Sequence, residues 1–160
     1  MLLVIADTSP IRYLIQIGHI DLLHRLFAAV TIPTEVAREL GDPSAPLAVQ
    51  TWIQSPPVWL RVLDAAGNDD SALSNLDPGE RAAIALGIAL KADLILIDDR
   101  RGSAAAVQKG LEVTGTLGIL DLAAKRRLID LGHAIERLKE TNFRYRKEII
   151  DNLLAQHRRR

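Results

Sequence analysis

Met1-Leu2-Leu3-Val4-Ile5-Ala6-Asp7-Thr8-Ser9-Pro10 is the stretch on which the reading of this chain turns. Leu2 to Ala6 is apolar without alternation, the pattern of a strand buried on both faces, as in a parallel sheet covered by helices. Ser9 followed by Pro10 reads as an N-cap and a first helical position, so strand, acid and helix start succeed one another. Ligands of open parallel sheets bind beyond the carboxyl ends of the strands. Asp7 is therefore expected there, partly desolvated and beside a helix N-terminus.

At 160 residues the chain has the length of one domain able to bury a core without staples. It contains no cysteine, which excludes thiol catalysis and thiolate zinc sites and fits a reducing compartment. The N-terminal apolar run is too short for a signal peptide or a membrane span. A cytoplasmic, soluble chain with no membrane partner is the expectation. Net charge is zero, but residues 1–99 hold 6 basic against 13 acidic side chains, and residues 100–160 hold 14 against 7. That asymmetry suits a carboxylate site whose rim grips phosphates, and it equally suits solvated helix faces.

Working outward, Ile11 to Ile17 has helical spacing with Gly18 as a stop, and a second short helix follows through Leu22, Leu23 and Leu26. Ala28 to Ile32 suits a second strand closed by Pro33, and Thr34 to Leu40 a helix on which Glu35 and Glu39 share one face. A helix through Val49 and Trp52 precedes Val58 to Leu63, a third strand expected at an edge. Ala65 to Asn75 is the most loop-like stretch and the expected mobile segment. Asp77-Pro78-Gly79-Glu80 has capping-box spacing and opens a helix to Leu90. Leu94 to Ile97 is a second clear buried strand, ending in Asp98-Asp99. An Ala-rich helix (102–109), a brief strand (112–114), helices over 116–128 and 129–140, and a docking helix within 143–156 complete the chain. One domain over residues 1–156 with a frayed basic tail, 157–160, is expected.

Two apolar strands thus end in acid. If parallel and adjacent, they bring Asp7 and the Asp98/Asp99 pair to one sheet edge, where carboxylates raise one another's pKa unless a cation screens them. A hard ion with oxygen ligands, Mg²⁺ or Mn²⁺, is the natural guest. Glu80 can reach the same edge from the first turn of its helix, and Glu39 is a better further ligand than Glu35, which suits a solvated first-turn acid. Each acid also has a plain structural use: Asp99 suits a helix cap before Gly102, and Glu80 a capping box.

Asp7-Thr8-Ser9-Pro10, the run Ile32 to Leu40, Leu76 to Ile84, Leu96 to Arg100 and Val113 to Gly118, in this order, resemble a PIN domain. The likeness is to an uncharacterised prokaryotic branch of predicted nucleic-acid-binding proteins, similar to VapC-type toxins. The resemblance implies a PIN-like three-layer sandwich, an α/β fold with a central parallel sheet flanked by helices, and a metal-dependent ribonuclease site. Carried over position by position, its acids fall on Asp7, Glu39, Glu80 and Asp98 or Asp99. Thr8 or Ser9, and Thr116, match polar positions that hold water or metal. It also implies a homodimer, with the apolar positions of Leu14–Leu26 as a compatible surface, and an antitoxin protein as partner if the chain is a toxin.

The expected function is metal-assisted hydrolysis of single-stranded RNA. Arg100, Arg101, Lys109 and the Lys125-Arg126-Arg127 cluster are placed to hold the backbone without reading sequence. Two Trp, two Tyr and two Phe leave little for extended base stacking. His19, His24, His133 and His157 lack ligand spacing. The alternative is a catalytically weak or inactive PIN-like module that binds RNA or protein. A receiver-like phosphoacceptor fits worse, lacking a paired acid after the first strand, and a Rossmann cofactor site fails for want of Gly-x-Gly-x-x-Gly.

Overall fold

Val4–Ala6 (β1), Val30–Pro33 (β2), Leu60–Leu63 (β3), Leu94–Leu96 (β4) and Val113–Thr114 (β5) form one sheet in the order β3-β2-β1-β4-β5, with every pairing parallel. The structure is a computed structural model that describes residues 2–65 and 71–158. β1 occupies the centre, and its unbroken apolar run has the expected cause. Val4 and Ala6 enter one core with Leu14, Val30, Leu96, Ile119 and Ala134, while Ile5 enters a second with Ala83, Leu86, Ile95 and Ile97. Helices therefore cover both faces, giving the α/β three-layer sandwich.

Strand order explains where a site can form. The chain steps from β1 outward to β2 and β3, then returns across the sheet to β4 and β5 on the other side. The order reverses between β1 and β4, and the crevice outside their carboxyl ends is left uncovered by either crossover. Ala6 lies opposite Leu96 in the ladder, and the Asp7 N–H donates to the Leu96 carbonyl at 2.8 Å. Asp7 and the residues after Leu96 are thereby fixed side by side at the switch point.

Nine α-helices, and a short 3₁₀ turn at Ser71–Leu73, are present among the described residues. Thr8–Gln16 (α1), Leu22–Phe27 (α2), Thr34–Leu40 (α3) and Leu47–Gln54 (α4) follow the first two strands; Pro78–Leu90 (α5) and Arg100–Gln108 (α6) flank β4; Thr116–Lys125 (α7), Leu131–Lys139 (α8) and Lys147–Arg158 (α9) close the chain. β3 is an edge strand, as expected, and begins at Leu60 rather than Val58.

Several local expectations need correction. Ser9 does not cap α1: the helix starts at Thr8, with Asp7 in the capping position and its carboxylate making no cap bond. The buried strand turns into helix at Asp7, and Pro10 sits at the third helical position, where its missing N–H is still among the helix's orphan donors. Leu14, Ile17, Leu22, Leu23 and Leu26 are all core residues and offer no dimer surface. Helix α8 begins only at Leu131, where Asp130 caps the His133 N–H at 3.3 Å. The tail is helical further than expected: α9 runs to Arg158, and His157 Nε2 meets Asp121 Oδ1 at 2.7 Å. Arg159 and Arg160 lie outside the described residues, as does the 66–70 part of the expected mobile loop. No helix of the described residues is long and apolar enough to cross a membrane.

Candidate metal centre and adjoining groove

Asp7 is 4 % exposed, and its Oδ1 is buried with no hydrogen-bond partner. Burial, with the nearby charges of Asp77, Glu39 and Asp98, pushes its carboxyl up to about 7, although the Thr8 N–H draws it down. An isolated carboxylate in that position is costly, and an unpartnered buried oxygen points to a missing ligand.

Helix α3 brings Glu39 to Asp7 because Val36 and Leu40 are buried, which fixes the face that Glu39 presents. The Thr8 hydroxyl donates to Glu39 Oε2, and the Gly79 N–H donates to Oε1 at 3.0 Å. Burial raises the Glu39 carboxyl while these two donors lower it. A Cβ on Gly79 would stand 2.6 Å from both Glu39 oxygens, so this close approach requires glycine. One turn of the same structure supplies two more acids. Asp77 caps α5 by accepting the Glu80 N–H at 2.9 Å, half of the capping box the sequence spacing suggested. Glu80 is 8 % exposed, and burial, Asp77, Asp99 and Asp7 push its carboxyl up to about 8.

One oxygen each from Asp7, Glu39 and Asp77 lie within 4.8 Å of one another. Sequence reasoning took Asp77 only as a cap; its approach to Asp7 and Glu39 is a matter of three-dimensional packing that the Asp-Pro-Gly-Glu turn does not itself signal. The three, with Thr8, Ser9, Arg12, Ser44 and Glu80, line a cavity of about 230 Å³. Arg12 was also missed; its Nε is buried without a partner.

The Asp98/Asp99 pair divides its work. Asp98 turns toward α7, where Oδ1 accepts the Thr116 N–H at 2.6 Å and Oδ2 the Thr116 hydroxyl at 2.7 Å. Thr116 is fully buried. Burial raises the Asp98 carboxyl, the two Thr116 donors lower it, and its charge is felt at Asp7. A Cβ on Gly115 would meet Asp98 Oδ1 at 2.6 Å. Asp99 caps α6 through the Gly102 N–H at 2.9 Å, and its charge is felt at Glu80.

A second hollow of about 850 Å³ adjoins the first and shares Ser9 and Glu80 with it. Asp98, Asp99 and Arg100, together with residues 142–146 and Ile149, line it. Of the expected RNA-binding residues only Arg100 lines it. Arg101 is exposed beside it in the first turn of α6. Lys109 follows the last turn of α6, and Lys125 and Arg126 end α7. Helices of nine and ten residues carry them about 14 Å from the carboxyl edge where both begin. Lys125 is moreover paired with Asp121 at 2.9 Å.

The donors at Asp7 are all carboxylate oxygens, which suit a hard divalent cation, and the orphaned Asp7 Oδ1 is the atom such a cation would satisfy. A parallel sheet with buried carboxylates at its switch point, beside a hollow edged with arginine, sets out a candidate divalent-cation site. A family model described as a PIN domain matches residues 3–159, and the chain belongs to the PIN domain family. No curated protein and no solved structure matches it. PIN domains are usually metal-dependent nucleases.

Proposed function

We propose that this chain is a Mg²⁺- or Mn²⁺-dependent endoribonuclease that cleaves single-stranded RNA in the cytoplasm. The observation that carries the reading is the buried, unpartnered Asp7 Oδ1 with oxygens of Glu39 and Asp77 gathered around it. Asp7, Glu39 and Asp77 would hold the ion, with Asp98 and Glu80 at its margin and Asp99 behind Glu80. When bound, the cation supplies positive charge against a phosphate in displacement and makes a water more acidic than bulk water. The side chains do the rest. Thr8 and Gly79 hold Glu39 in place, and Thr116 holds Asp98. Arg12 lines the first hollow and Arg100 the second, and a guanidinium group in each suits phosphate oxygens of a strand passing the acids.

Similarity to VapC-type toxins extends the proposal to an antitoxin partner and a homodimer. Co-purification with the product of a neighbouring small reading frame, and light scattering of the pure protein, test those two parts. The enzymatic core is tested by following a labelled single-stranded RNA with Mn²⁺, with Mg²⁺ and with EDTA. Cleavage that requires the ion and disappears in Asp7→Asn, with the fold retained, supports it; ion-independent cleavage, or a fully active Asp7→Asn, overturns it.

A further inference from the structure

The larger hollow has a wall that the metal chemistry does not explain. Residues 141–146, between α8 and α9, are tied down at one end: the Thr141 hydroxyl donates to the Leu138 carbonyl at 2.6 Å and accepts the Phe143 N–H at 3.1 Å. They are also fastened to α1. The Tyr13 hydroxyl donates to Asn142 Oδ1 at 2.9 Å, and Tyr13 meets Phe143 edge-on with ring centroids 5.1 Å apart. What this anchored wall leaves over is Arg144, Tyr145 and Arg146. All three are exposed, and Arg144 and Arg146 make no ion pair among the described residues. Tyr145 is 43 % exposed, has no ring partner among the described residues, and lines the hollow beside Ile149.

We infer that this hollow is a nucleotide subsite: it receives one unpaired base of the RNA on Tyr145 and Ile149, and Arg144, Arg146 and Arg100 hold the adjoining phosphates. The inference rests on the ribonuclease reading and names how its substrate is held. Size separates the two hollows. The acidic one, about 230 Å³, is below the range of nucleotide-sized sites, and the adjoining one, about 850 Å³, is within it. Charge differs too: the first sets four carboxylates against the single Arg12, whereas in the second three arginines offset the three carboxylates of Glu80, Asp98 and Asp99. An aromatic face set among arginines suits single strands, because a base inside a duplex has no face to offer. Ser9 and Glu80 line both hollows, so a nucleotide here lies next to the phosphate that reaches Asp7.

The test is fluorescence anisotropy with labelled oligouridine in EDTA, so that binding is read apart from cleavage. The variants are Arg144→Ala/Arg146→Ala, Tyr145→Ala and Tyr145→Phe, all at exposed positions whose replacement leaves the fold intact. Tyr145→Ala should weaken binding between about five-fold and a hundred-fold while Tyr145→Phe keeps it, since a lost stacked base costs that much. The double arginine variant should lower the salt slope of log K by about 1.4, two phosphate contacts on a single strand. A blunt RNA duplex should bind the native chain more weakly and be indifferent to Tyr145→Ala. Unchanged oligouridine binding in these variants, no binding by the native chain, or a poly-glutamate peptide that binds as tightly as the RNA overturns the subsite. The ribonuclease reading fails separately, through ion-independent cleavage or an active Asp7→Asn.

Discussion

Replacing Asp7 by asparagine should make the metal-free protein more stable above neutral pH, although it removes a buried residue at the heart of the site. Burial and the charges of Asp77, Glu39 and Asp98 hold the Asp7 carboxyl at about 7 against an ordinary 3.8. The shift is about 3 units, and at 1.36 kcal/mol per unit the ionised carboxylate costs the folded state about 4 kcal/mol at pH 8. Because the folded chain binds this proton more tightly than the unfolded one, the cost is absent well below pH 4, grows as pH rises, and levels off above about pH 7. Water entering the empty cavity reduces the figure, so a gain of about 2–4 kcal/mol is expected for Asp7→Asn at pH 8. At pH 4.5 it should be about a quarter of that. For a chain of this length the pH 8 gain corresponds to a Tm increase of about 5–12 °C. Thermal unfolding in EDTA at the two pH values reads it directly. Millimolar Mn²⁺ should stabilise the native chain and leave the variant unmoved. An Asp7→Asn protein less stable than the native one at pH 8, or a native chain whose stability does not fall between pH 4.5 and 8, would refute the electrostatic reasoning.

Other consequences follow from the same geometry. Thr8→Val removes the donor that orients Glu39 and should weaken Mn²⁺ binding by about 10- to 100-fold in calorimetry, with little change in Tm. Gly79→Ala, whose Cβ would press on both Glu39 oxygens, should lower Mn²⁺ affinity in the same assay. Thr116→Val leaves a buried Asp98 oxygen without its hydroxyl and should cost about 1–3 kcal/mol in urea unfolding. Lys109→Ala and Lys125→Ala, at helix ends remote from the groove, should leave oligouridine binding within about two-fold of native, whereas Arg100→Ala should weaken it and reduce its salt dependence.

Much of the fold was legible because the decisive signals were local. An apolar run without alternation marks β1 whatever the rest of the chain does, and the Thr34–Leu40 helix and the Asp77 cap fall where spacing puts them. The meeting of Asp7 with Asp98 needed only adjacency of two strands, which the parallel β1–β4 pairing provides. What was hidden depends on three-dimensional approach. That Asp77 is both a cap and a neighbour of Asp7 depends on how α5 crosses the sheet, and no spacing in sequence reports it. The basic residues failed as a guide for a related reason. Charge along α6 and α7 is indifferent to which end of the helix faces the site, so Lys109, Lys125 and Arg126 carry the sequence signal without the position. Arg144 and Arg146 reach the groove because Tyr13 pins the 141–146 segment over α1, a contact across 129 residues of chain. The Leu14–Leu26 positions show the reverse error, since helices late in the chain bury what the amphipathic pattern alone leaves open.

The proposed function makes Asp7 the pivot of a divalent-cation site that hydrolyses RNA. The most direct measurement is the rate of cleavage of a labelled single-stranded RNA at saturating Mn²⁺ by the native chain and by Asp7→Asn, with circular dichroism of both. Ion-dependent cleavage by the native chain, loss of at least about 100-fold in the variant, and superimposable spectra are expected. Equal rates in two folded proteins would contradict it.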